Sequence, residues 1–273
     1  LFKIEKINTK EVNRDLKIKL NDKYKKNKSS YNDNNNRIVP YSGNLKKISK
    51  NNFLKIERFE EFDAEIVFIK KNFIFFNNKG SLLKFDDSSK LVWKKNNYSK
   101  QEKKLKPILF IGSQKNTIVV ADSISKIYAI NANGGNIIWS KYHSSTFNSQ
   151  LKIYGNKVYI VDSQNTLNCY SIKDGSKIWE LKTGKSFINS NKKLSVAIKN
   201  DKVFFNNSFG EVTAVNANNG ALIWQISTQN SQTYENIFNL KTSTLIASNN
   251  SILFSNNKNE FYSINQETGL INW

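Results

Sequence analysis

The 273-residue chain contains one cysteine, one histidine, two prolines and no methionine. Each scarcity excludes something. With Cys169 alone there is no internal disulfide and no thiolate zinc site. The redox compartment stays open, because a large domain can bury enough surface to dispense with disulfides. His143 has no Ser, Cys or acid arranged around it as a triad requires, and it reads as a surface residue. Arginine is almost as scarce, being confined to Arg14, Arg37 and Arg58. Starting at Leu1 without a methionine, the chain is expected to lack its natural start and any signal peptide that start carried. Long apolar runs are missing too. The longest, residues 64–76, is interrupted by Lys70 and Lys71, well short of the roughly 20 apolar residues of a membrane-spanning helix.

Acidic residues are few as well: 22 Asp and Glu stand against 42 Lys and Arg, a formal charge of +20. Such a value raises nucleic acid or an acidic membrane as partners. The excess is lysine spread along the chain and accompanied by abundant asparagine and isoleucine, the residues that AT-rich genes over-use. Arginine, the usual reader of phosphate forks and guanine, is nearly absent, so no specific nucleic-acid partner is expected. The acids that remain are mostly turn residues, such as Asp122, Asp162, Asp174 and Asp201, whose ordinary role is to bond their own turn backbone. Glu60, Glu61 and Asp63 are close in sequence but read as a solvated loop. Nothing supplies the six to eight converging oxygens of a calcium site.

Residues 1–50 form a basic leader with 14 Lys or Arg against 5 Asp or Glu. Its centre, residues 23–36, is a run of Lys, Asn, Ser and Asp with little to bury, and a flexible tether is expected there. From residue 51 onward the pattern changes to short apolar runs rich in Ile, Val, Phe and Tyr, types that suit a pleated half-buried surface. Asn, Asp, Gly and Ser punctuate these runs.

The tryptophans set the period. They stand at 93, 139, 179, 224 and 273, spacings of 46, 40, 45 and 49 that match the blade length of a four-stranded propeller repeat. Aligned on them, residues 127–139 read IYAINANGGNIIW, 167–179 LNCYSIKDGSKIW, 212–224 VTAVNANNGALIW and 261–273 FYSINQETGLINW. Four residues before Trp139, Trp179, Trp224 and Trp273 stand Gly135, Gly175, Gly220 and Gly269, and ten before stand the small residues Ala129, Cys169, Ala214 and Ser263. Alternating apolar residues that run into a short polar turn with glycine make a β-hairpin. The small residue avoids a collision with a neighbouring sheet, and Trp bridges between sheets while its indole N–H finds a backbone acceptor. Cys169, in the small position, reads as a packing residue. The copy ending at Trp93 is degenerate, with Ser89 in the glycine place. Two further strands precede each hairpin, joined at residues 155–156, 200–201 and 249–250, so four strands make the unit. A β-solenoid, with a period of about 20–30 residues, fits less well.

The pattern small-x-[Asp/Asn]-x-x-x-Gly-x-x-x-Trp resembles the docking repeat of pyrroloquinoline-quinone-like β-propellers over residues 79–273. It departs in carrying Asn131, Asn216 and Asn265 where that family commonly has Asp, and it keeps Thr before Gly only at Thr268. The resemblance implies an all-β propeller of four-stranded antiparallel blades. About five are present of an expected eight, which would need roughly 360 residues, so a C-terminal truncation is expected. It also implies two function classes. One is a quinone-dependent dehydrogenase with pyrroloquinoline quinone and Ca2+, often with adjacent cysteines, which this chain cannot have. The other is the non-enzymatic branch that resembles the outer-membrane assembly lipoprotein BamB. The second fits better. It implies a monomeric scaffold on the periplasmic face of the outer membrane of a Gram-negative bacterium, tethered through a lipidated N-terminus, with the barrel-assembly machinery as partner. No catalytic, cofactor or metal residue is expected, and residues 98–106 and 228–234 are the candidate partner loops. A generic interaction propeller is a further alternative, although the Gly-His and Trp-Asp dipeptides of the WD type are missing.

Overall fold

The structure is a computed structural model that describes residues 34–36, 65–184, 193–227, 242–256 and 260–273. The leader outside 34–36, the acids at 60, 61 and 63, and the loop 228–234 lie outside the described residues.

Among the described residues, nineteen strands and one short helix follow one another in a repeating order. Blade one is β1 (Val67–Ile69), β2 (Asn72–Phe76), β3 (Ser81–Phe85) and β4 (Leu91–Asn96). After α1 (Lys100–Lys104), blade two comprises β5 (Leu109–Gln114), β6 (Thr117–Asp122), β7 (Lys126–Asn131) and β8 (Ile137–Tyr142). Blade three is β9 (Lys152–Tyr154), β10 (Lys157–Val161), β11 (Thr166–Ser171) and β12 (Lys177–Lys182). Blade four is β13 (Val196–Lys199), β14 (Lys202–Asn206), β15 (Glu211–Asn216) and β16 (Leu222–Ser227). Blade five is β17 (Ile246–Ser248), β18 (Ser251–Ser255) and β19 (Phe261–Asn265). Each sheet is an antiparallel meander in chain order, and first strands of successive blades are neighbours. This is the propeller arrangement, with the first strands innermost. In blade five the fourth strand is reduced to an isolated bridge, Ile264 to Ile271.

Turn chemistry explains the regularity. Tight connections between first and second strands use positive φ at Gly155 and Asn156 and at Asn200 and Asp201, which suits the primed turns of two-residue hairpins. Between second and third strands an Asx side chain closes the loop. Oδ1 of Asn77, Asp122, Asp162 and Asn207 accepts from the backbone N–H groups two and four residues on.

Burial is by blade pairs. Four apolar clusters fill the seams between successive blades; the second, for instance, joins Val119, Ala129 and Trp139 of blade two to Leu151, Ile153, Val158 and Ile160 of blade three. Middle strands sit in two seams at once, so β6, β10 and β14 are almost wholly buried, whereas the outermost β4, β8, β12 and β16 are largely exposed. Gly112 on β5 lets blade three approach, since a Cβ there would stand 2.4 Å from Leu151 Cδ2.

Candidate functional site

Three groups of side chains matter: the docking stations between blades, a lysine-rich connection, and the polar hub inside the ring of first strands.

The residues singled out by the repeat, apart from Ser263 and Trp273 of the last copy, lie at docking stations, paired differently from the within-repeat picture. The small residue faces the tryptophan of its own hairpin: Ala129 is registered opposite Trp139, Cys169 opposite Trp179 and Ala214 opposite Trp224, each followed by a register shift. In the reduced last copy, Ser263 N–H donates to Trp273 O. The glycine, by contrast, receives the tryptophan of the preceding blade. A Cβ on Gly175 would stand 2.5 Å from the Trp139 ring, on Gly220 2.6 Å from Trp179 and on Gly269 2.8 Å from Trp224. Gly135 meets Trp93 in the same way, its would-be Cβ lying 3.2 Å from the ring and 2.6 Å from Lys95 Cγ. All four glycines have φ between 67° and 74°. Each indole N–H donates into that same turn, Trp93 to Ala132 O, Trp139 to Ile172 O, Trp179 to Asn218 O and Trp224 to Gln266 O, at 2.9–3.2 Å. Trp273 is 58% exposed and stacks on Phe261, with ring centroids 5.6 Å apart. Ser89, the substitute in the degenerate copy, adopts the same left-handed backbone, with φ 63°. Asn in place of Asp in the turn costs no bond, since Oδ1 of Asn131, Asn216 and Asn265 accepts from the N–H two residues on.

A second docking station was not legible in the sequence. His143 is half-buried and not a free surface residue: its side chain is 7% exposed and both ring nitrogens are bonded. Nε2 lies 2.9 Å from Asp162 Oδ2 and Nδ1 2.9 Å from the Tyr170 hydroxyl, with Phe147 stacked at 5.0 Å. Because Nε2 faces the Asp162 carboxylate, an acceptor, it carries a proton there. One blade earlier, Tyr98 holds the corresponding position, its hydroxyl donating to Asp122 Oδ2 at 2.5 Å. One blade later, Thr183 Oγ1 accepts from Asn207 Nδ2 at 3.3 Å. In each case a residue just past the fourth strand grips the Asx residue of the next blade. The signal was Tyr98, His143 and Thr183 standing four or five residues after a tryptophan, but their unlike chemistry hid it. Burial raises the Tyr98 hydroxyl pKa, and it raises that of Asp122 despite the hydrogen bond from Tyr98. Cys169 is fully buried, and burial pushes its thiol up to about 12, so it is no nucleophile.

The connection between blades one and two, which contains the candidate partner loop 98–106, is ordered by its own acid. Ser99 and Glu102 form a reciprocal capping box at the start of α1. Glu102 also accepts from the Tyr142 hydroxyl at 2.9 Å and pairs with Lys126 at 3.5 Å. Partial burial would raise the Glu102 pKa, but the Ser99 N–H and hydroxyl, Tyr142 and Lys126 outweigh it and bring the carboxyl down to about 2. The loop's four lysines face elsewhere, toward Lys79 of the β2–β3 turn. Lys79, Lys100, Lys103, Lys104 and Lys106, with Asn78, line an open cavity of about 440 Å³ that has no carboxylate in its wall.

At the hub, Gln150, Lys152 and Ser195 are occupied by Asn36, which lies in the segment expected to be a free tether. Among the described residues no three His, Cys, Asp or Glu come together as a metal site.

A sequence profile of the family described as "Outer membrane protein assembly factor BamB" matches residues 78–273. No curated protein matches by sequence. Among solved structures, BamB from Moraxella catarrhalis is 15% identical with a TM-score of 0.64, the alignment covering 77% of this chain and 62% of that one. The quinohemoprotein alcohol dehydrogenase ADHIIG from Pseudomonas putida HK5 is 14% identical with a TM-score of 0.63, over 80% of this chain and 42% of that one. The computationally designed Ika8 protein is 14% identical with a TM-score of 0.60, over 76% and 59%. The chain thus spans about three fifths of the BamB structure it resembles, and at these identities the likeness is one of fold.

Proposed function

Because the chain belongs to the family of the outer membrane protein assembly factor BamB, we propose that it is a non-catalytic scaffold in the assembly of outer-membrane β-barrel proteins. On this reading it works at the periplasmic face of the outer membrane of a Gram-negative bacterium, as a monomer tethered through a lipidated N-terminus, and it carries neither quinone nor calcium. The observation that carries the interaction role is the ordered loop at α1. It spends its one acid on its own anchorage and presents four lysines, joined by Lys79 of the β2–β3 turn, around a single open cavity. A basic surface on a fixed loop suits an acidic segment of a protein partner, because orientation costs little entropy when the loop is already held.

The test is direct binding between the purified protein and the purified barrel-assembly complex. Association that weakens about 10-fold or more in Lys103→Glu/Lys104→Glu, and that weakens with added salt, is the expected result. No association, or association indifferent to the double substitution, refutes the assignment of the loop. The quinoprotein alternative is addressed by titrating the protein with pyrroloquinoline quinone and Ca2+ and following dye-coupled oxidation of alcohols. Saturable activity overturns the non-catalytic reading.

A further inference from the structure

The first strand of every blade turns one edge toward the ring interior, and the N–H and C=O groups on that edge have no neighbour in their own sheet. On four blades some of those groups are met by residues from elsewhere in the chain. Ile111 N–H on β5 donates to Glu65 Oε2 at 2.8 Å, and Glu65 also pairs with Lys193. Ile198 N–H on β13 donates to Asn34 O at 2.6 Å, and Ala247 N–H on β17 to Asn35 O at 2.9 Å. Asn34 Nδ2 returns a bond to Ile153 O on β9 at 2.9 Å. Three consecutive leader residues therefore run across the inner edges of blades three, four and five.

Asn36 shows that this crossing is selective. Its Nδ2 lies 2.9 Å from Val196 O, 2.9 Å from Leu245 O and 3.0 Å from Gln150 Oε1, while its Oδ1 accepts from Lys152 Nζ at 2.6 Å. Oxygen acceptors on one side and an ammonium on the other call for a group that donates and accepts on a short arm, which is a primary carboxamide. Asp would aim a carboxylate at carbonyl oxygens, Ala would leave Lys152 without this acceptor, and Gln would overshoot by a methylene. The backbone makes the same demand, since φ at Asn36 is 57°, a left-handed value that Asn tolerates better than other non-glycine residues. Lys152 is 3% exposed, Ser195 4% and Val196 fully buried, so the site is enclosed.

We infer that the propeller hub is a binding site for an asparaginyl turn whose backbone and side-chain groups meet the inner strand edges, and that its ligand is the chain's own Asn34–Asn36. The segment closes the ring interior at blades three to five and fixes the leader there. Whatever tethering the leader performs then begins from the hub.

Hydrogen exchange on the full chain tests this. Edge amides without partners exchange rapidly, so the Ile198 and Ala247 amides should be protected in the wild-type protein. In Asn36→Ala and Asn36→Asp both should lose protection by about 10-fold or more. The Val119 amide, in the middle of blade two, serves as the control for intact folding and should not change. Unprotected Ile198 and Ala247 amides in the wild-type chain overturn the inference, independently of how any variant folds. Unchanged protection in both variants overturns the role given to Asn36.

Discussion

Replacing Gly175 with alanine should unseat blade two from blade three. The new Cβ would lie 2.5 Å from Trp139 Cε3, 2.7 Å from Cζ3 and 2.9 Å from Cδ2. The ring cannot retreat cheaply, because its N–H is bonded to Ile172 O at 2.9 Å and it is packed among Phe147, Leu151 and Ile153. Overpacking of this kind costs about 1–3 kcal/mol. Holding alanine at φ 67° adds about 1–2 kcal/mol, and the lower entropy of the unfolded chain returns about 0.4–1 kcal/mol. The net loss should be about 2–4 kcal/mol. Gly155→Ala separates the two contributions, because Gly155 has φ 55° with nothing within 4 Å of its would-be Cβ. That change should cost about 1 kcal/mol or less. Urea unfolding at constant slope measures both. In a Trp139→Leu background the Gly175→Ala cost should fall to the Gly155→Ala value, whereas in a Trp179→Leu background it should not change. Losses for the two glycines that agree within about 0.5 kcal/mol, or coupling of Gly175 to Trp179 in place of Trp139, refute the cross-blade pairing.

Asp162→Ala deprives the N–H groups of Gln164 and Thr166, the Asn168 amide and the His143 ring of a shared buried acceptor. It should cost about 3–5 kcal/mol in the same urea assay, against about 1 kcal/mol for Asp86→Ala, whose turn is open to water. Equal losses would show that the grip between blades two and three contributes nothing. The Cys169 thiol should stay unlabelled by a disulfide reagent at pH 8 until urea unfolds the chain, and stoichiometric labelling of the native protein within minutes would contradict its burial. For Glu102, whose folded pKa lies below the ordinary glutamate value of 4.5, the stabilisation is fully present above 4.5 and is lost as pH falls through about 2. A side-chain carbon titration should show a midpoint near 2, and a midpoint at 4.5 would mean that α1 is not anchored by its acid.

Much of the architecture was readable along the chain because a propeller repeats one supersecondary unit. Five tryptophans at blade spacing, with glycine and a small residue at fixed offsets, were enough to place the hairpins. Local turn rules placed the connections at 155–156, 200–201 and 249–250 where the structure has them. Even the degenerate Ser89 and the Asn-for-Asp departures are resolved by local geometry, because a left-handed backbone and an Oδ1 acceptor are all those positions require.

The sequence by itself determined everything whose cause lies within about 15 residues: strand periodicity, turn chemistry and the register that sets Ala129, Cys169 and Ala214 against their tryptophans. Only the tertiary structure decided which blade each tryptophan serves. The partner glycine lies one repeat ahead, and a periodic pattern looks the same whether its parts pair within a repeat or between repeats. His143 was misread for a related reason, since its partners Asp162 and Tyr170 are 19 and 27 residues away and nothing local marks a histidine side chain as buried. Asn34–Asn36 is the extreme case. A polar run has nothing of its own to bury and so reads as a tether, yet the inner edges of β9, β13 and β17 offer backbone groups that polar side chains and carbonyls satisfy. The need belongs to strands more than 100 residues further along, and it arises only once they are folded into a ring.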